Sequence, residues 1–100
     1  MKHTVDLTDH ELALIREVLA RHSSIAGAIV FGSRAMGTAR PESDIDLALE
    51  GIDDPLEAQA IANELEELPL PYRFDVLALA AVRIPSLREH IKRVGIRISA

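Results

Sequence analysis

Apolar and polar positions alternate along this chain with two different periods, and the period changes at residues that break regular structure. Thr8-Asp9-His10-Glu11 reads as a capping box, in which Thr8 and Glu11 satisfy each other's free backbone donors. Leu12, Ile15, Val18 and Leu19 then recur at helical spacing, predicting an amphipathic helix to about His22 that ends at Ser23-Ser24. Ala26 to Phe31 is a short apolar run with Ile29, Val30 and Phe31 consecutive, the pattern of a strand covered on both faces, and Gly32 breaks it. Residues 33 to 43 contain Gly37 and Pro41 and predict a loop with room for one helical turn.

From Asp44 to Glu50 the period is two. Ile45, Leu47 and Leu49 point one way and Asp44, Asp46 and Ala48 the other, until Gly51 closes the strand. Asp54-Pro55 supplies an N-cap and a proline at the first helical position, and Leu56, Ala60, Ile61, Leu65 and Leu68 predict a helical face up to Pro69. Tyr72 to Leu79 predicts a third strand, with Phe74 and Val76 on one face and Asp75 and Leu77 on the other. Ser86-Leu87-Arg88-Glu89 reads as a second capping box, followed by Leu87, Ile91 and Val94 on one face of a last helix. Gly95 stops it, and Ile96-Arg97-Ile98 can add a strand end.

The predicted order is helix, strand, loop, strand, helix, strand, helix. It implies an α+β domain, a small mixed sheet of three to four strands with helices packed on it. One hundred residues, nearly half of them apolar, fit a single folded domain spanning residues 1–100. The net charge of −5 argues against a surface that holds nucleic acid through its phosphates, though not against a local acidic site that recruits cations. The absence of cysteine excludes a disulfide scaffold and a thiolate metal site. His3, His10, His22 and His90 form no pair at ligand spacing. No apolar run approaches the roughly 20 residues of a bilayer span, and Met1 to Asp6 lacks the apolar stretch of a secretory signal, so a cytoplasmic protein is expected.

The candidate chemistry lies between residues 32 and 46. Asp44 and Asp46 are two apart on a predicted strand, so both carboxylates leave the same face of the sheet. That face must be partly open, because adjacent carboxylates in a dry core repel and protonate. Magnesium takes oxygen ligands, needs only one or two carboxylates, and completes its shell with water and substrate phosphates. Gly32-Ser33 sits where the first strand ends, where glycine lets a phosphate approach the backbone and the Ser33 hydroxyl can hold it. Arg34 and Arg40 share that loop and can add charge to the cradle, Arg34 being the stronger candidate. Each signal alone is weak. Together, Gly32-Ser33, ten intervening residues and Asp44-Ile45-Asp46 form a combination whose chance occurrence in so short a chain is about one in a thousand.

These residues resemble the polymerase-beta-type nucleotidyltransferase superfamily, whose signature pairs Gly-Ser with Asp-x-Asp. The longer text, Phe31-Gly32-Ser33-Arg34-Ala35-Met36-Gly37-Thr38-Ala39-Arg40 through Ser43-Asp44-Ile45-Asp46-Leu47, resembles the minimal nucleotidyltransferase branch of toxin–antitoxin pairs. The resemblance implies a third carboxylate on a later strand, matched by Asp75; the alternative for Asp75 is a salt bridge to Arg73 or Arg83. It also implies in-line attack of an acceptor hydroxyl on the α-phosphorus of ATP, with Asp44, Asp46 and Asp75 holding two Mg²⁺ ions. Gly32 and Ser33 would bind the β- and γ-phosphates. The implied acceptor is a tyrosine of a co-encoded HEPN ribonuclease toxin, which adenylylation silences. Transfer to a small hydroxylated molecule such as an aminoglycoside, and masking of a partner by contact alone, are the alternatives. The shortness of the chain leaves the acceptor to a partner, with the last helix and the 96–98 tail as places for it to dock.

Overall fold

The computed structural model describes residues 5–99, so His3 and the start of the chain up to Thr4 lie outside the described residues. Helix α1 spans Asp9–Leu19, and its capping box forms as predicted: Thr8 Oγ1 accepts from the Glu11 N–H while Glu11 Oε1 accepts from the Thr8 N–H. Strand β1 spans Gly27–Phe31, and the loop after it begins with one helical turn, α2, over Ser33–Met36. Strand β2 spans Ile45–Glu50, so Asp44 stands one residue before the regular strand. Helix α3 spans Pro55–Glu66 behind an Asp54 cap that accepts from the Leu56 N–H. Strand β3 covers Phe74–Ala78 and leads through a single 3₁₀ turn to α4, Pro85–Val94, and then β4, Ile96–Ser99.

The sheet order is β3-β2-β1-β4. Strand β1 pairs antiparallel with both β2 and β4, whereas β2 and β3 run parallel, as a helical crossover through α3 permits. The expected mixed sheet is therefore four-stranded, and the 96–98 tail is one of its strands rather than a loose end. Ile98 is buried, and its carbonyl accepts from Arg16 Nε of α1 at 2.6 Å.

Two sequence expectations about helices are corrected. Helix α4 starts at Pro85 with Ile84 as its cap, so Ser86 lies inside the first turn and forms no capping box. Proline has no N–H to lose and a φ suited to that first position, and it sets the start two residues too early for the serine to cap it. On α3 the buried row is Ala58, Ile61, Ala62 and Leu65, whereas Leu56 is 78% exposed and Ala60 is exposed. Leu56 and Ala60 each lie two residues from Ala58, about 200° around the helix, and therefore face away from the core.

The two faces of the sheet are covered unequally. On one face α1 and α3 pack Ile15, Val18, Ile61 and Leu65 against Val30, Ile45, Leu47 and Leu49, all at most 1% exposed. On the other, α4 alone covers a smaller cluster of Phe31, Ala48 and Ile91, flanked by Leu87 and Val94. Among the described residues no helix is long and apolar enough to cross a membrane.

Candidate active site

The face under α4 carries the candidate chemistry, and strand register assembles it. Phe31 pairs with Asp46 across the β1–β2 ladder, and Asp46 pairs with Asp75 across the β2–β3 ladder. Residues directly opposite on neighbouring strands share a face. The C-terminal end of β1, which turns at Gly32, thus meets the two carboxylates at the start of β2 and β3. Asp44 precedes the strand on the same side at a spacing of two.

Gly32 has φ 72° and ψ −152°, a region that only glycine occupies without strain. A Cβ there would run into Oδ2 of Asp46. The backbone at the turn therefore lies directly over the Asp46 carboxylate. The other two acids act on Asp46. Burial raises the Asp46 pKa above the ordinary carboxylate value, the charges of Asp75 and Asp44 raise it further, and His90 partly offsets them. Asp46 is half-buried, while Asp44 and Asp75 are exposed. Neither Arg73 nor Arg83 forms an ion pair with Asp75 among the described residues, so the salt-bridge alternative finds no support.

Arg34 stands differently from the sequence expectation. It is 4% exposed, and its guanidinium is engaged inside the loop. Nη1 donates to the Asp6 carbonyl at 3.1 Å, and Nη2 lies 3.2, 3.2 and 2.9 Å from the carbonyls of Arg40, Pro41 and Ser43. The guanidinium also stacks over the Tyr72 ring, 4.4 Å from its centroid. Tyr72 in turn donates to Glu11 Oε2 at 2.6 Å, a bond that raises its own pKa, with burial adding to the effect. Arg34 thereby ties the turn after Ser33 to the residue just before Asp44. In this geometry Arg34 clamps the loop. Arg40 is exposed, and its backbone N–H donates to Ser43 Oγ at 2.8 Å.

One group at the site carried no sequence signal of its own. His90 of α4 sets its ring edge-on to Phe31, with centroids 6.2 Å apart at 83°, and its charge reaches Asp46. The only clue was helical phase. With Leu87, Ile91 and Val94 inward, residue 90 falls on a flank of α4.

Asp44, Asp46 and Asp75 present carboxylate oxygens here, the donor type that Mg²⁺ takes. Among the described residues no three His, Asp or Glu side chains close into a ready-made metal cage.

A mixed sheet with a glycine turn over a pair of acids, and a third acid on the adjoining parallel strand, defines a nucleotidyltransferase-type domain. The chain belongs to the polymerase beta nucleotidyltransferase family, whose model matches residues 14–100. A probable protein adenylyltransferase, MntA, of Haemophilus influenzae is 32% identical over 97 residues, covering 94% of this chain and 83% of that protein. Among solved structures, a toxin–antitoxin complex with AMP-PNP matches with a TM-score of 0.75 at 22% identity, over 87% of this chain and 71% of that one. An MntA–HepT toxin–antitoxin structure matches with a TM-score of 0.70 at 18% identity, over 91% and 71%. At those identities the two structural likenesses bear on the fold alone.

Proposed function

We propose that this chain is an antitoxin-type protein adenylyltransferase, moving AMP from ATP to a tyrosine hydroxyl of a partner HEPN ribonuclease and so inactivating it. The observation that carries the reading is the register Phe31–Asp46–Asp75, which sets the Gly32 backbone against one carboxylate and a second carboxylate beside it. The similarity to MntA supports the choice of a protein acceptor.

In this reading the acceptor oxygen forms a bond to the α-phosphorus as the bond from that phosphorus to the pyrophosphate oxygen breaks, and pyrophosphate departs. Asp75, exposed at the rim, receives the acceptor proton. Gly32 admits the β- and γ-phosphates close to the backbone, and Ser33 donates its hydroxyl to them. Asp44, Asp46 and Asp75 would hold Mg²⁺, which supplies charge neutralisation on the phosphates and acidifies the attacking hydroxyl. Positioning and charge stabilisation then furnish most of the acceleration.

The test is incubation of the chain with the product of the neighbouring reading frame, ATP and Mg²⁺, followed by intact mass measurement. Gain of whole AMP units by the partner is expected, and Asp44→Asn with Asp46→Asn should abolish it. Complex formation with no change in mass would refute transfer and favour masking by contact.

A further inference from the structure

The acidic site needs positive charge to receive a triphosphate, and the loop's best-placed arginine does not supply it, because Arg34 is committed to backbone carbonyls. Further cations lie on α4. Helical phase divides the cations of α4 between two flanks. With Leu87, Ile91 and Val94 packed inward, Arg88 and Lys92 fall on one side and His90 and Arg93 on the other.

Independent contacts show which flank faces the turn. His90 packs edge-on against Phe31, the residue before Gly32. Arg93 and Val94 line a cavity of about 300 Å³ together with Ala35 and Met36, which belong to the helical turn that begins at Ser33. Arg88 and Lys92 instead line a separate cavity with Glu50 and Arg97, at the opposite end of β2 from Asp46.

Arg93 is exposed and forms no ion pair among the described residues, so its guanidinium is free to take a ligand. A guanidinium binds phosphate oxygens through two parallel N–H bonds.

We propose that Arg93 is the triphosphate-binding cation of this site, reaching the β- and γ-phosphates held at Gly32-Ser33 from the cavity that it lines with Ala35 and Met36 of the same helical turn. The assignment rests on the nucleotidyl-transfer reading above. Arg93 also lies in the last turn of α4, where any cation interacts favourably with the helix dipole. That role would not alter nucleotide affinity, so binding separates the two.

The test is calorimetric titration of the chain with ATP and with AMP in Mg²⁺, for the unaltered protein, Arg93→Gln, Arg93→Lys and Lys92→Gln. Arg93→Gln should weaken ATP binding about 10- to 50-fold, the worth of a charge-assisted contact, and leave AMP binding unchanged. Arg93→Lys should recover part of the loss, and Lys92→Gln should bind ATP as the unaltered protein does. Unchanged ATP affinity in Arg93→Gln overturns the assignment. So does an equal loss for ATP and AMP, or an equal loss in Lys92→Gln, which would report only the general field. Failure of the unaltered chain to bind ATP would overturn the nucleotidyl-transfer reading itself.

Discussion

Exchange of Arg34 for methionine keeps an unbranched apolar stem and deletes the guanidinium, which separates a loop clamp from a phosphate ligand. Nη1 has one carbonyl acceptor and Nη2 has three, but Nη2 carries only two hydrogens, so about three good bonds are made at once. Bonds to a charged group contribute about 1.5–3 kcal/mol each. The carbonyls of Arg40 and Pro41 sit on exposed residues and regain water when the arginine is lost, so they count at the low end. Stacking on Tyr72 adds about 1 kcal/mol. Relief of the buried charge's desolvation offsets part of the sum. A net loss of about 3 kcal/mol results, a substantial part of the total for a domain of this size. At roughly 4–8 °C per kcal/mol, the melting temperature should fall by about 12–24 °C.

Thermal melts by circular dichroism read this directly, and amide exchange over residues 38–43 should accelerate with it. Arg34→Lys should recover only a minor share, because one ammonium cannot reach both the Asp6 carbonyl and the 40–43 carbonyls. A different result would refute the clamp: Arg34→Met melting within about 3 °C of the unaltered chain while losing ATP affinity tenfold or more. The guanidinium would then serve the nucleotide after all.

Gly32→Ala should cost about 1–3 kcal/mol in backbone strain, and by displacing the Asp46 carboxylate it should slow AMP transfer about 100-fold, read as initial rates of partner mass gain. Asp46 holds its proton more tightly folded than unfolded, so its contribution to stability is fullest below the unfolded carboxylate value and is lost as pH rises through the folded one. Asp46→Asn should therefore melt about 1–3 °C higher at pH 7.5 without metal, a gain kept small by solvent screening. The advantage should vanish near pH 4; an advantage that grows toward acid would contradict the stated direction. Asp54→Ala removes the α3 cap and should cost about 1 kcal/mol by denaturant melts, with no change in ATP affinity.

Most of the site could be read from the sequence because its parts lie close together in the chain. Gly32, Ser33, Asp44 and Asp46 flank one loop, and a period of two suffices to put both acids on one face. The coupling of Asp75 to Asp46 is different in kind. It depends on β2 and β3 being parallel neighbours in a register that the order of elements leaves open. Arg34 illustrates a second limit. Its position beside Ser33 suggested the phosphate side, but the helical turn of α2 rotates the next side chain inward, toward Tyr72 and Asp6. On α3, Leu56 and Ala60 compete with Ala58 and Ala62 as equally apolar rows, and only packing against the sheet decides between them.

The unequal cover of the two sheet faces explains how so small a domain keeps three acids on a partly wet surface. Helices α1 and α3 supply the main core from one side, which leaves the other side free of that duty. There α4 needs only to cover Phe31 and Ala48, and it leaves the edge carrying Asp44 and Asp75 exposed. Because α4 rests on Phe31 immediately before the glycine turn, the position of the helix and the shape of the turn are mechanically linked. A substitution that shifts α4, such as Ile91→Ala, removes a buried side chain from the small cluster and should cost about 2–5 kcal/mol. It should also move His90 and Arg93 relative to Gly32. Loss of ATP affinity beyond what the fall in folded fraction accounts for would show that α4 is part of the nucleotide site as well as its cover.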